Sequence, residues 1–315
     1  MISVALASYN GERYIRKQLE SIYNQRLAVD EVIICDDISS DNTVKICEEF
    51  IKEKSLTNWH VFVNERNVGF CLNFYGAIAK CQGDIIFLAD QDDEWLPEKT
   101  LKMTECLNAN PDISVLSCRY DVIDADSKLI ENSGVTYLGT NNDDSVEYLN
   151  TESFIGCSYI RGFSLCFKRE IISLLKPIDL KSLLAHDWLI CVLGCVTGKT
   201  AVLNTVLTHY RYHGDNVSLA AMDKSKRNRD LNKRILGLNE SVSGHKYIAS
   251  FCEGKLKKDI ETFAKFETKR IKFLQSKNIF SFIALFFKMN HYNRYYKGKG
   301  LRVYLGDFIY AFKQK

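Results

Sequence analysis

The chain has 315 residues, of which 46% are hydrophobic and 26% charged, as in a soluble folded protein of one large or two smaller domains. The late apolar run at 279–289 is shorter than the ~20 residues of a membrane-spanning helix, and the N-terminal apolar stretch is short and followed by positive charge, so neither a transmembrane helix nor a signal peptide is predicted. Eleven cysteines without a CxxC pair, mostly within apolar runs, indicate free thiols in a reducing, cytoplasmic compartment and argue against a disulfide framework.

Charge divides the chain into two regions. Residues 1–221 contain 20 Lys and Arg against 31 Asp and Glu, whereas residues 222–315 contain 22 against 8. Such an asymmetry indicates separate functions for the two parts. We therefore predict an acidic domain over 1–221 and a basic, helical, aromatic-rich region over 222–315.

The first 90 residues alternate between short apolar runs and segments with apolar residues at helical spacing. Strands are predicted at 2–8, 30–37, 59–65 and 84–90, and helices at 9–25, 39–54 and 71–81. This alternation favours an α/β fold with a parallel, doubly wound sheet. Ligands of such sheets bind beyond the carboxyl ends of the strands.

Polar residues follow all four of these strands. They are Ser8-Tyr9-Asn10-Gly11-Glu12, Asp36-Asp37, Asn64 to Gly69, and Asp90-Gln91-Asp92-Asp93-Glu94. Clustered carboxylates raise one another's pKa unless a positive charge neutralises them, and Mg²⁺ or Mn²⁺ beside phosphate oxygens would do so. The alternative is a solvated turn that caps a helix beginning at Pro97. We expect the strand ends to form one ligand crevice.

The pattern changes after residue 112. A strand is predicted at 113–124 with 128–132 turning back beside it, then a polar loop at 140–153, a strand leading into a helix from Arg161, a helix at 184–196 and a strand at 199–213. Asp187 is a lone carboxylate in the apolar helix, which is unfavourable unless the group is paired or used. It is therefore either used by the protein or bonded to a helix end or an arginine.

Phosphate-binding glycine loops are absent from the sequence. There is no GxGxxG after the first strand and no GxxxxGK[ST], so neither a dinucleotide-binding fingerprint nor a P-loop is present. The segments "VALASYNGERYIRKQLESI", "VIICDDISSDNT", "NERNVGF" and "LADQDDEW" instead resemble, in this order, family 2 glycosyltransferases over about residues 1–220. With "HDW" and "YRYHGDNVS" they look most similar to bacterial rhamnosyltransferases of surface polysaccharides. The resemblance implies the GT-A fold, with a Rossmann-like, mostly parallel central sheet and flanking helices.

The resemblance also implies a donor site. Asp90 and Asp92 match the family's DxD motif, in which the first contacts the ribose and the second the metal, and Asp93 would support them. The implied metal ligands are Asp90, Asp92 and His213; for His213 a phosphate contact or a structural role is the alternative. The residues implied in nucleotide-sugar binding are Ser8, Tyr9, Asn10, Glu12, Asp37, Asn67, Gly69, Asp90 and Arg211. Asp37 suits the N3–H of uracil or thymine, and Asn216 and Ser218 are weaker diphosphate candidates.

On the acceptor side, Asp187 matches the base of inverting family members. Trp188 would stack on a sugar, with core packing as the alternative, and Arg161 begins a segment similar to the family's acceptor side. The QxxRW motif of processive synthases does not appear near Asp187, so transfer of a single sugar is expected.

The basic region interleaves Lys and Arg with aromatic and aliphatic residues at helical spacing. This favours peripheral binding to an anionic membrane on the cytoplasmic face, where a lipid-linked acceptor would be met; a solvated helix face and a homo-oligomer interface are the alternatives. Nucleic acid binding is not expected, since no base-reading motif accompanies the charge.

The sequence therefore predicts an inverting, metal-dependent transferase with dTDP-rhamnose as the preferred donor, on family resemblance alone, and a glycan acceptor. Alternatives are a UDP-hexose donor on the same scaffold, a sugar-phosphate nucleotidyltransferase, which the lack of a glycine-rich N-terminal loop disfavours, and a non-catalytic subunit of a polysaccharide-assembly complex.

Overall fold

The computed structural model describes residues 1–131, 142–155, 160–175, 186–213, 230–296 and 299–312. Its strands are β1 (Ile2–Ser8), β2 (Glu31–Asp36), β3 (Trp59–Val63), β4 (Ile85–Asp90), β5 (Glu94–Trp95), β6 (Ile113–Ile123), β7 (Val146–Leu149), β8 (Leu165–Lys168) and β9 (Lys199–Arg211). Its α-helices are α1 (Ile15–Tyr23), α2 (Thr43–Glu53), α3 (Phe70–Lys80), α4 (Lys99–Ala109), α5 (His186–Thr197), α6 (Leu231–Ala249), α7 (Gly254–Ser276), α8 (Ile279–Phe286), α9 (Met289–Tyr295) and α10 (Gly300–Phe312).

The chain forms two compact units. The first comprises Met1–Asn150, Tyr159–Leu180 and Leu193–His213, and the second comprises Thr151–Ser158, Lys181–Val192 and Gly214–Lys315. The basic C-terminal region therefore shares its unit with two short segments from earlier in the chain. The contiguous boundary at residue 221 stays a prediction of charge alone.

The first unit is built on one sheet in the order β3-β2-β1-β4-β8-β6-β9-β5, with β7 beside β9. The first four strands are parallel and pair in the order that doubly wound folds use. Strands β1, β2 and β4 are almost entirely buried, as expected for parallel strands covered on both faces. The helices α1, α2 and α3 are the crossovers that parallel pairing requires.

The second half of the sheet is mixed. Strand β8 runs antiparallel between β4 and β6, whereas β9 runs parallel to β6. Strand β7 corrects the sequence analysis, which predicted a loop over 140–153. It pairs antiparallel with β9, with Val146 opposite Leu203. Its residues are exposed or half-buried, and an edge strand of this kind carries little of the apolar signal that marks a strand in sequence.

Three local predictions also differ from the structure. The helix expected from Pro97 has Lys99 as its first residue. The segment after β8 forms a 3₁₀ helix over Arg169–Leu174. The predicted return strand beside β6 is a single antiparallel bridge between Ile123 and Leu129.

Register in the parallel part positions the site. Ser8 on β1 lies opposite Asp36 on β2, and Ala7 lies opposite Asp90 on β4. The carboxyl ends of these three strands therefore lie side by side at one edge of the sheet. The segments that follow them meet there, as the sequence predicted.

The second unit contains helices α6 to α10 around a buried ionic group. Arg270 on α7 is fully buried, and its Nε and Nη2 donate to Asp307 on α10 at 2.6 and 2.8 Å. The Tyr292 hydroxyl on α9 donates to the same carboxylate at 3.1 Å. A buried carboxylate needs such partners to remain charged. Among the described helices, none combines the length and the apolar character needed to cross a bilayer.

Candidate active site

The segments after β1 and β2 are tied together by short side-chain hydrogen bonds. The Ser8 hydroxyl donates to Asp36 at 2.8 Å, and the Ser39 amide and hydroxyl donate to the same carboxylate at 2.7 and 2.6 Å. The Asn10 carboxamide oxygen accepts from the Ser40 amide at 2.8 Å. Because Asp36 is fully buried, these bonds satisfy a charge that would otherwise be costly to bury. The two loops form one wall of the site.

Asp37 fixes the loop that precedes α3. Its Oδ1 accepts from the Val68 amide and from the Asn64 carboxamide at 2.8 and 2.9 Å, and its Oδ2 accepts from the Gly69 amide at 2.8 Å. Gly69 has φ of +84°, a region that favours glycine. The Asn67 carboxamide donates to the Asp37 carbonyl at 3.3 Å. Asp37 thus orders Asn67 and Gly69, and its contact with a nucleotide base stays a prediction.

Gln91, the residue between the two DxD aspartates, was not singled out from the sequence. Its Oε1 accepts from the Tyr9 amide at 2.8 Å, and its Nε2 donates to the Tyr9 carbonyl at 2.9 Å. The Gln91 carboxamide thereby pairs with the Tyr9 backbone in the way that a neighbouring strand would. The Tyr9 side chain is 48% exposed. Glu12 is also exposed and accepts from the Asn42 amide and side chain at 3.0 and 2.8 Å.

The carboxylates of Asp90, Asp92 and Asp93 form one group. Each offers an oxygen, and these oxygens all lie within 4.8 Å of one another. Asp93 is fully buried; its Oδ1 accepts from the Arg211 amide at 2.9 Å, and its Oδ2 has no hydrogen-bond partner among the described residues. Burial, together with the charges of Asp92 and Asp90, raises the pKa of Asp93 well above its usual range. An unmatched buried carboxylate oxygen in a set of hard oxygen donors fits a divalent cation such as Mg²⁺ or Mn²⁺.

Arg211, at the end of β9, holds the carboxylate loop from behind. Its Nε donates to the Asp92 carbonyl at 2.8 Å, and its Nη1 donates to the Asp124 carbonyl at 2.9 Å. Its Nη2 pairs with the Glu94 carboxylate, and its guanidinium lies 4.7 Å from the Tyr14 ring centroid. The side chain has no exposed surface. These contacts explain why a strand at the far side of the sheet ends in a buried arginine.

This placement corrects two of the predicted nucleotide contacts. Arg211 is buried and bonded to protein acceptors, so it positions the loop. Ser8 is 2% exposed, and its hydroxyl is used by Asp36. Both residues support the site from beneath, a distinction that sequence position alone does not reveal.

His213 lies beside the carboxylate group. Its Nε2 lies 2.8 Å from Asp92 Oδ2, and its ring centroid lies 5.0 Å from that of Tyr14. The structure therefore groups His213 with Asp92, while a role as metal ligand stays a prediction. Asn216 and Ser218 lie outside the described residues.

Lys99 is a second residue that the sequence analysis missed. It is fully buried at the start of α4; its Nζ donates to the Phe163 carbonyl at 2.6 Å and lies 4.0 Å from the Trp95 ring centroid. Burial lowers its pKa to about 8, although negative charge from neighbours that include Asp93 acts in the opposite direction. Lys99 thus joins the helix after the carboxylates to the segment that begins at Arg161. The sequence did not indicate this burial, because a lysine two residues after a proline is usually exposed.

Asp187 lies in the first turn of α5, in the second unit. The described part of this helix begins at His186, because residues 176–185 lie outside the described residues. The Asp187 Oδ1 accepts from the Trp188 amide at 2.6 Å, and Asp187 is half-buried. Catalysis by Asp187 stays a prediction.

The two predicted acceptor residues differ in exposure. Trp188 is 3% exposed; its Nε1 donates to the Phe154 carbonyl at 2.8 Å, and its ring lies 4.9 Å from that of His245. The cavity beside it is about 10 Å³, room for one water at most. Core packing is therefore the role that the structure shows for Trp188, which corrects the predicted sugar contact. Arg161 is half-buried, bonds the Tyr120 hydroxyl and remains a candidate.

Comparison with known proteins identifies the family. The model of glycosyl transferase family 2 matches residues 3–171. The chain belongs to this family. The dTDP-rhamnosyl transferase RfbG of Shigella flexneri is 27% identical over 261 residues, which cover 77% of this chain and 86% of the relative. An uncharacterized glycosyltransferase of Nostoc sp. is 25% identical, with 70% and 67% covered. An uncharacterized protein of Mycobacterium tuberculosis is 28% identical, and the match spans 60% of its length.

Solved structures confirm the fold. TarS 1–349 of S. aureus, in complex with UDP-GlcNAc, has a TM-score of 0.58 at 16% identity, with 99% of this chain and 92% of that chain covered. The mannosyltransferase PcManGT of Pyrobaculum calidifontis, in complex with GDP-Man and Mn²⁺, has a TM-score of 0.54 at 13% identity, with 100% and 88% covered. The predictions of a family 2 glycosyltransferase and of the GT-A fold are thus confirmed.

Proposed function

We propose that this protein is an inverting, metal-dependent transferase that moves one rhamnose from dTDP-rhamnose to a glycan acceptor in bacterial surface polysaccharide synthesis. The observation that carries the proposal is the group formed by Asp90, Asp92 and Asp93 at the carboxyl end of β4, with His213 against Asp92. The site lies at the edge of the sheet where α/β folds bind ligands.

A divalent cation would be held by Asp92 and Asp90, with Asp93 behind them and His213 beside them. When bound, it would supply Lewis-acid stabilisation of the negative charge on the leaving diphosphate. PcManGT, whose structure includes Mn²⁺, supports this by fold alone. The fit rests on the chain's own oxygen donors and on the unmatched Asp93 Oδ2.

The nucleotide would occupy the wall made by the loops after β1, β2 and β3. Tyr9 and Glu12 present exposed side chains there, and Asn10, which bonds the Ser40 amide, holds the two loops together. Asp37 would reach the N3–H of thymine or uracil with its remaining acceptor capacity, because a carboxylate has about four lone-pair sites. Asn67 and Gly69 would close over the nucleotide from the loop that Asp37 orders.

Asp187 would act as the base. The acceptor hydroxyl oxygen bonds to the anomeric carbon while the bond from that carbon to the diphosphate oxygen breaks, and the hydroxyl proton passes to the Asp187 carboxylate. One displacement of this kind inverts the configuration and needs no covalent enzyme intermediate. The partial exposure of Asp187 supports the role, since a base must be reachable by its substrate.

The rhamnose donor is supported by the relative RfbG, a dTDP-rhamnosyl transferase that aligns over most of both chains. A UDP-hexose donor is the alternative, because TarS binds UDP-GlcNAc on a similar fold. The acceptor would be a lipid-linked glycan at the cytoplasmic face of the membrane.

Donor choice is tested by incubating the purified protein with Mn²⁺ or Mg²⁺ and a panel of dTDP- and UDP-sugars, and measuring release of nucleoside diphosphate. We expect release from dTDP-rhamnose above all, and its loss without metal. An Asp187→Asn variant should bind the same donor with an unchanged dissociation constant but transfer at least about a hundredfold more slowly, as expected on loss of a general base. Equal transfer by Asp187→Asn would remove the base from the proposal, and release from a UDP-sugar alone would replace the donor.

A further inference from the structure

Helices α8 and α10, together with Phe287 directly after α8, carry many exposed apolar side chains. Eight of the 19 large hydrophobic side chains that are exposed among the described residues lie within 279–312. We refer to these eight as the apolar surface: Ile279, Phe280, Ile283, Phe286, Phe287, Leu301, Leu305 and Phe312. Phe280 and Phe287 are 77% and 79% exposed. Concentrated exposure of this kind marks a contact site, whereas scattered single residues do not.

The apolar surface is the outward side of two helices whose other side is packed. In α8, Phe282 stacks on Tyr304 of α10 with ring centroids 4.2 Å apart, and Leu285 is 3% exposed. The Tyr304 hydroxyl donates to the Phe282 carbonyl at 3.1 Å. Because the inner faces of the two helices already pack against one another, the outward residues belong to the protein surface and not to a poorly packed core. On α8 they recur at the spacing of one helix face, at Ile279, Ile283 and Phe286.

Among the described residues of 277–312, every exposed charged side chain is basic. Lys277, Lys299 and Arg302 are exposed, and Lys288 is half-buried. The acidic residue of this stretch, Asp307, is fully buried and paired with Arg270. Burial lowers the pKa of His291 on α9, and the charges of Lys288, Arg294 and Lys269 lower it further. The solvent therefore meets aromatic side chains bordered by cations.

We propose that the apolar surface inserts into the headgroup boundary of an anionic lipid bilayer, with Lys277, Lys299 and Arg302 on the lipid phosphates. Aromatic side chains bordered by cations are what an interfacial helix presents to such a membrane. A second copy of the chain fits less well, since a symmetric contact would place this cationic border against itself. The inference rests on the proposed function for its role in meeting a lipid-linked acceptor. It adds to that function the surface that would bring the protein to the membrane.

The test is co-sedimentation of the full chain with vesicles of phosphatidylcholine, alone or with about 30% phosphatidylglycerol. We expect binding to the anionic vesicles that Phe280→Ser/Phe287→Ser weakens at least about tenfold, because each buried Phe contributes an order of magnitude or more in partitioning. Leu236→Ser on α6, where Leu236 is 58% exposed, is the matched control and should bind as the wild type does.

A second variant tests the charge. Lys277→Gln/Lys299→Gln/Arg302→Gln should lose most of the preference for anionic vesicles, whereas the same change at Lys45, Lys52 and Lys128 of the first unit should retain it. Unchanged binding by either surface variant would overturn the inference. The inference would also be overturned if the wild type were an oligomer that does not bind vesicles and if Phe280→Ser/Phe287→Ser converted it to a monomer. The surface would then join two copies of the chain.

Nucleoside diphosphate release from a soluble donor, measured on the same variants, keeps the two proposals apart. The surface variants should release it at the wild-type rate, since none of their residues lies in the candidate active site. Vesicle binding without any transfer activity would refute the proposed function and leave the membrane surface standing. Transfer activity without vesicle binding would refute the membrane surface and leave the proposed function standing.

Discussion

Replacement of Arg211 is the most demanding test of how the site is held. The structure makes Arg211 a positioning residue, because it donates to the carbonyls of Asp92 and Asp124 and forms an ion pair with Glu94. Its side chain has no exposed surface. Arg211→Met removes the charge and all of these donors. Arg211→Lys keeps the charge but replaces a planar fork by a single ammonium group.

The magnitude follows from these contacts. Removal of one partner of a buried ion pair destabilises a protein by about 3–5 kcal/mol, and each buried carbonyl left without a donor adds about 1–3 kcal/mol. Because Glu94 is 24% exposed, water can solvate part of its charge, so we take the lower end. With the lower end of both ranges and two carbonyls, we expect Arg211→Met to reduce the free energy of unfolding by about 5 kcal/mol and Arg211→Lys by about 2 kcal/mol.

The assay is urea unfolding with Mn²⁺ affinity measured by calorimetry on the same samples. Arg169→Lys is the matched control, since Arg169 also donates to two backbone carbonyls, those of Gly83 and Cys81, at 2.7 and 2.8 Å. It should lose about 1 kcal/mol of stability and none of its Mn²⁺ affinity. Arg211→Lys should lose at least about tenfold in Mn²⁺ affinity, as outer partners of metal ligands typically do.

Two results would refute this reasoning. Arg211→Met with stability within 1 kcal/mol of the wild type would show that the buried contacts are not made. Wild-type stability and Mn²⁺ affinity in Arg211→Lys, combined with a raised KM for the donor, would restore the diphosphate contact that the sequence alone suggested.

Three further predictions concern stability and packing. Asp307→Asn should lower the free energy of unfolding by about 3–5 kcal/mol in urea, because it leaves the buried Arg270 charge without its main partner. Burial lowers the pKa of His245 to about 4 from 6.5, so its stabilising contribution is complete above pH 6.5 and is lost as the pH falls towards 4. About 2 kcal/mol should therefore be lost between pH 7 and pH 5, and His245→Gln should abolish that part of the pH dependence; an unaltered slope would contradict it. Of the ten described thiols, only Cys71 and Cys195 should react quickly with a thiol reagent at pH 8 before unfolding, and fast reaction of the other eight would contradict the burial.

Much of the fold could be read from local patterns. Strand β1 was predicted with the bounds that it has, because an apolar run between polar ends identifies a buried parallel strand. The carboxylates after β4 were recognised for the same reason, since charge directly after a buried strand is conspicuous. Strand β7 escaped because an exposed edge strand carries no such contrast.

The side-chain roles could not be read in the same way. Ser8 and Arg211 occupy motif positions, yet both are buried beneath the site, and only tertiary contacts separate a supporting residue from one that faces a ligand. Trp188 follows Asp187 in sequence, but the helix turns its ring into the core of the second unit. Lys99 and Gln91 act through long-range partners, Phe163 and Tyr9, which sequence spacing does not reveal.

The central claim is that Asp92 and its neighbours form a metal-dependent donor site. Calorimetric binding of dTDP to the wild type, with and without Mn²⁺, tests it most directly, beside Asp92→Asn and the exposed control Asp126→Asn. We predict that Mn²⁺ strengthens dTDP binding at least about tenfold in the wild type and in Asp126→Asn, and has no effect in Asp92→Asn. Equal dTDP binding with and without Mn²⁺ in a folded wild type, or a full Mn²⁺ effect in Asp92→Asn, would contradict the account.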